Sequence, residues 1–105
     1  MHCISEYPTK LDNINFQRIY KLKKIFKNKL IGLSDHTDNI YSSQISLCYD
    51  VVAIEKHVKI NEKSISADSK FSITLKQLSE LKKNINSLFK GLKGSGDFFV
   101  NKENN

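Results

Sequence analysis

Two short segments place a histidine beside a carboxylate and at the end of an apolar run: Ser34-Asp35-His36-Thr37 and Glu55-Lys56-His57. A neutral imidazole is a good ligand for a divalent metal. Two imidazoles on one ion leave most coordination positions open, which suits a metal that also holds water and substrate. Asp35 and Glu55 are candidates to orient the imidazoles from behind, or they simply balance nearby lysines. A third polar segment, Ser5-Glu6-Tyr7-Pro8-Thr9, follows another short apolar stretch, and Asp68 lies in the polar connection after His57. A lone histidine at a strand end is more often a structural hydrogen-bond donor than a ligand. The pair at equivalent strand ends is what raises the metal reading to stand beside the structural one. His2 has no assignment. No nucleophile elbow, phosphate-cradling glycine loop or Cys/His zinc spacing occurs, and the Gly94-Ser95-Gly96 stretch follows the last helical pattern rather than preceding one.

For these groups to meet, the segments must be neighbouring strands. Residues 2–6, 30–34 and 51–54 read as three short strands, the second and third nearly unbroken apolar runs of the kind buried on both faces. Between them lie helical patterns. The first runs from Asp12 or Asn13 to about Asn28 with Phe16, Ile19, Leu22 and Phe26 inward. A weaker one spans about 39–49 with Ile40, Leu47 and Cys48 inward. The last opens with Thr74 and Gln77 in capping-box spacing, carries Leu75, Leu78, Leu81, Ile85, Leu88 and Phe89, and stops at Gly91. The order β-α-β-α-β-α implies a parallel sheet with right-handed crossovers, and chemistry in such folds gathers at the carboxyl ends of the strands. Adjacent parallel strands lie about 4.8 Å apart, so two ring nitrogens can converge on one ion.

Composition sets limits. A chain of 105 residues is the size of one small domain, yet three βα units leave an apolar face and two sheet edges uncovered. The sequence therefore reads as part of something larger. No apolar run reaches the roughly 18–20 residues of a membrane span, and the N-terminal stretch lacks the layout of a signal peptide. Cys3 and Cys48 match no redox or zinc spacing, so the expectation is a cytoplasmic protein without membrane association. The net charge of +6 is concentrated in residues 12–29 and 70–93, each locally +5, while residues 30–69 are locally −3. Lysine supplies almost all of it, with Arg18 the single arginine. Lysine without arginine is poor equipment for bidentate base or phosphate contacts. Solvated helix faces are therefore the preferred reading over a nucleic-acid surface, and no nucleic-acid partner is expected.

The motifs together, HCISEYPT, GLSDHT and IEKH with Asp68 eleven residues beyond its histidine, resemble the sialic acid synthase family from His2 to about Gly94. The resemblance implies an α/β fold that is a partial (β/α)8 TIM barrel, its last three βα units, over residues 1–93, with 94–105 a tail or linker. It implies condensation of phosphoenolpyruvate with an N-acetylated sugar such as N-acetylmannosamine, giving a nine-carbon 2-keto acid and phosphate. His36 and His57 would be the metal ligands at the catalytic centre, with manganese (Mn2+) the usual ion. Ser34 and Ser5 would lie on the phosphoenolpyruvate side of the pocket, and Tyr7 and Asp68 would contact the acceptor sugar. Lys10 stands where the family usually has a second proline, and Ser66-Ala67 replaces a Gly-Pro turn before Asp68. The family's phosphate-binding lysines and catalytic glutamate belong to earlier strands, so the missing barrel half, or a homodimer partner, is the expected protein partner. On its own the segment is expected to be inactive. The alternative is a non-catalytic remnant or binding module that keeps a two-histidine metal site. Relatives of this kind make sialic, legionaminic or pseudaminic acids from different precursors, and nothing in the sequence selects among them.

Overall fold

The computed structural model describes residues 1–4, 6–60 and 69–94. Three short strands, β1 (His2–Cys3), β2 (Leu33–Asp35) and β3 (Ile54–Lys56), form a sheet in the order β1-β2-β3. All of its pairings are parallel, with His2 opposite Leu33, Leu33 opposite Ile54 and Asp35 opposite Lys56. The helices α1 (Gln17–Ile25) and α2 (Tyr41–Ser46) make the crossovers. The expected strand–helix alternation is present, but strands two and three sit further along the chain than the apolar runs suggested. Leu30 is 81% exposed and Val52 is 59% exposed. The reason is that the apolar runs are the approach to the ladder: Val52 N–H donates to Ile31 O and Leu33 N–H to Ala53 O, and only then do the paired residues begin. Gly32 sits where this approach is tightest. A Cβ there would lie 3.0 Å from the Ala53 carbonyl and 2.9 Å from the Met1 side chain.

A further parallel pair was not expected. β4 (Val58–Lys59) pairs with β5 (Ile73–Thr74), and Ile73 N–H donates to His57 O at 3.0 Å. A two-residue strand is too short to show periodicity, so the polar connection concealed it. α3 (Leu75–Leu92) follows at once, opened by the reciprocal capping box the sequence predicts: Gln77 N–H donates to Thr74 Oγ1 and Thr74 N–H to Gln77 Oε1. Such a cap stabilises by about 1 kcal/mol. Gly91 lies inside the last turn of α3 rather than ending it.

Two apolar clusters hold the layers together. Ile19 of α1 packs with Ile31, Leu33 and Val51, flanked by Phe16, Leu22, Tyr49 and Ile54. Ile40, Ile73 and Leu81 form the second, flanked by Leu78 and Ile85 of α3. The helix faces are narrower than the periodicity implied. α1 begins only after Asn15, whose positive φ of 54° interrupts the expected start, a conformation asparagine tolerates better than most residues. Phe26 is exposed beyond its end, as are Cys48 beyond α2 and Leu75, Leu88 and Phe89 on α3. In place of Leu47 and Cys48, α2 turns Ser42, Ser43 and Ser46 inward, all fully buried. Among the described residues no helix is long and apolar enough to cross a membrane.

Candidate functional site

Alternation along β2 and β3 sorts their residues onto two faces. Leu33 points toward α1 with its apolar cluster, and Asp35 points the same way. Ser34 and His36 point to the other side, where Glu55 and His57 of the neighbouring strand meet them. There the His36 and His57 rings lie with centroids 5.5 Å apart. Tyr7 closes over His36 at 4.5 Å, and Phe71 touches Tyr7 at 5.1 Å and His57 at 4.8 Å. The structure thus gathers Tyr7, Ser34, His36 and His57 in one place. Ser5 and Asp68 lie outside the described residues. Phe71 escaped the sequence reading because it precedes the cryptic strand β5, and nothing in its spacing marks it.

The loop that carries Tyr7 is tied to the end of β2. Thr9 N–H donates to His36 O at 3.0 Å, and Thr9 Oγ1 donates to Glu6 O at 2.6 Å. The peptide between Tyr7 and Pro8 is cis. His2, unassigned from sequence, is buried with its Nε2 2.7 Å from Ile14 O. It fastens β1 to the segment before α1 and takes no part in the site.

Both ring nitrogens of His36 have polar neighbours. Nδ1 lies 3.3 Å from the Ile4 carbonyl and 3.6 Å from Cys3 Sγ. Nε2 lies 3.4 Å from Ser34 Oγ. The hydroxyl proton of Ser34 is directed at Glu55 Oε1 in a much shorter, charge-assisted bond of 2.7 Å. Two imidazoles 5.5 Å apart at adjacent strand ends, one of them anchored near a backbone carbonyl, form an arrangement that a pair of metal-binding histidines can use. The donor set fits a divalent ion in that respect. It does not complete a coordination sphere, because no third His, Cys, Asp or Glu among the described residues joins a metal-holding group.

Asp35 does not orient either imidazole. Its carboxylate is on the opposite face, where it accepts from Thr37 N–H (2.9 Å), Thr37 Oγ1 (2.7 Å), Ser42 Oγ (2.6 Å) and Ser43 Oγ (2.5 Å). Lys56 Nζ, equally buried, pairs with it at 3.3 Å and donates to Thr37 O at 2.8 Å. Burial alone would push the Asp35 carboxyl up; the Lys56 ammonium and the hydroxyls of Ser42, Ser43 and Thr37 outweigh it and hold the group below its ordinary value. Burial likewise pushes the Lys56 ammonium down, and Asp35 opposes this only in part. The pair was legible in principle: each member directly precedes a histidine, and alternation sends it to the other face.

The sequence profile of the NeuB family matches residues 1–97. This chain belongs to the NeuB family. Within that setting it is 36% identical over 97 residues to an uncharacterised protein of Methanocaldococcus jannaschii, covering 92% of this chain and 28% of the relative. It is 30% identical over 92 residues to the N,N'-diacetyllegionaminic acid synthase of Campylobacter jejuni, covering 88% of this chain and 27% of that enzyme. Among solved structures, the N-acetylneuraminic acid (sialic acid) synthetase of Leptospira borgpetersenii superposes with a TM-score of 0.83 at 26% identity, covering 96% of this chain and 35% of that one. The NeuB chain thus spans little more than a quarter of its curated relatives, and its parallel α/β fold corresponds to about a third of a barrel synthase.

Proposed function

We propose that this chain supplies the metal-binding side of an acid-sugar synthase that condenses phosphoenolpyruvate with an N-acetylated amino sugar, releasing phosphate and a nine-carbon 2-keto acid. The observation that carries the reading is the paired imidazoles of His36 and His57 at the carboxyl ends of adjacent parallel strands, in a NeuB-family chain. In the barrel it would form the last three βα units, residues 1–93. The two histidines would hold a divalent ion, most simply manganese. When bound there, the ion supplies Lewis-acid polarisation of the acceptor's carbonyl oxygen and charge neutralisation in the transition state. His36 would contribute one of its ring nitrogens. Ser34, hydrogen-bonded to Glu55, would turn its hydroxyl proton to the phosphoenolpyruvate anion when that ligand is bound, and Ser5 would be a second contact to it. The Tyr7 hydroxyl, at the mouth of the site, orients the sugar with Asp68, a positioning contribution. Relatives named for legionaminic and sialic acids leave the acceptor as an N-acetylated sugar of this class.

The test uses the full polypeptide carrying this sequence. Phosphate release from phosphoenolpyruvate should require both N-acetylmannosamine or a related acceptor and a divalent ion, and His36→Ala should abolish it. Turnover that survives His36→Ala with unchanged manganese dependence would overturn the ligand assignment. A second reading is a metal-binding module without catalysis that keeps the two adjacent imidazoles. Manganese binding with no phosphate release under any acceptor would favour it.

A further inference from the structure

The pair of histidines needs something to set its separation, and on their own face the strand-to-strand hydrogen bond from Ser34 Oγ to Glu55 Oε1 ends on an exposed carboxylate. His57 is half-buried and Glu55 exposed, and Tyr7 above them is itself exposed. The opposite face is built differently. Asp35 and Lys56 are register partners on β2 and β3, each one residue before a histidine. Thr37, directly after His36, gives Asp35 its N–H and hydroxyl, and Lys56 holds its carbonyl. The residues on both sides of His36 are thus pinned from behind, and one of the pins is the residue preceding His57.

We propose that the Asp35–Lys56 pair, with Thr37 and the inward serines of α2, is a positioning device that fixes the register of β2 against β3 and so the separation of His36 from His57. The physical reason is that register slips by whole residues. A one-residue slip of β3 would turn His57 to the helix side and carry Lys56 to the pocket side. Asp35 would then be a buried carboxylate without its cation, an outcome far costlier than the slip of an apolar contact. Leu33 and Ile54, also register partners, favour the same register through apolar burial, and the ion pair adds a charge penalty to any slip. The α2 serines complete the device because a hydroxyl is short enough to reach Asp35 while leaving the helix close against the strand.

The inference deepens the proposed site and rests on that reading only for its manganese measurement. The test is the double variant Asp35→Asn/Lys56→Met in the full polypeptide, which removes both charges together and leaves neither buried alone. Two quantities are read: the nuclear Overhauser contact between the His36 and His57 rings without metal, and manganese affinity by paramagnetic resonance titration. We expect the ring contact to weaken or vanish and manganese affinity to fall by about 10-fold or more, while the melting transition stays cooperative. An intact ring contact with affinity within about twofold of wild type would overturn the proposal. Should the double variant fail to fold, Thr37→Val, which keeps both charges and removes one hydroxyl, is read the same way; unchanged contact and affinity there overturn it too. If the wild-type polypeptide binds no manganese, the metal reading above fails, and the ring contact alone decides this one.

Discussion

The two faces of β2 and β3 are made by alternate residues of the same strands, yet they differ in how deeply their polar groups are buried. On the helix side, the Asp35 carboxylate accepts four hydrogen bonds in addition to its ion pair, and Lys56 spends its protons on Asp35 and Thr37. On the pocket side, Ser34 links His36 Nε2 to Glu55, whose carboxylate is exposed, and His57 is only half-buried. Closed pairing is what a structural network requires, since a half-satisfied buried group is costly. Polar side chains within reach of solvent at the carboxyl end of parallel strands are what a binding site requires. The contrast separates the part of each motif that holds the fold from the part that meets a ligand.

The largest blow to this contrast should come from Lys56→Met. Leaving Asp35 buried without its cation should cost about 3–5 kcal/mol, read as a shift in the denaturant midpoint, whereas a loss under 1 kcal/mol would place the pair among weak surface interactions. Acid should act next. The folded-state pKa of Asp35 lies below the ordinary 3.8, so the native state binds fewer protons than the unfolded chain across that window. Its contribution is fully present above 3.8 and is lost as pH falls through the lowered folded value. In Asp35→Asn the acid limb of the stability profile should therefore flatten. The smallest effect should come from the other face: His57→Gln should change stability by no more than about 0.5 kcal/mol while weakening manganese binding. A large stability loss there would mean that the histidine is part of the core.

Much of this arrangement was readable before any coordinates. Thr74 and Gln77 announced the start of α3 through spacing alone, and SDHT and EKH placed two histidines at strand ends. What escaped the reading shares a physical cause. Leu30 and Val52 look like strand residues by apolarity, but hydrogen-bond register, which composition does not encode, shifts the ladder toward the polar residues. Ser42, Ser43 and Ser46 look like a solvated face, because a buried hydroxyl is recognisable only once its acceptor is known to sit beside it. Asp35 was read either as a partner of the histidines or as a counter-charge to nearby lysines, and strand alternation sends it away from His36 and onto Lys56. Phe71 and Ile73 were hidden by the brevity of β5.

Both histidines, the ion pair, Thr37 and the α2 serines all fall within residues 33–57, a single strand–helix–strand unit. The ion pair and the hydroxyls that pin the two strands from behind are therefore inherited together. A recombination breakpoint on either side of this stretch moves the device whole, and one inside it severs an aspartate from its lysine. The unit is a natural cassette for grafting, and the cut points that keep it working are fixed by where its buried charges find each other.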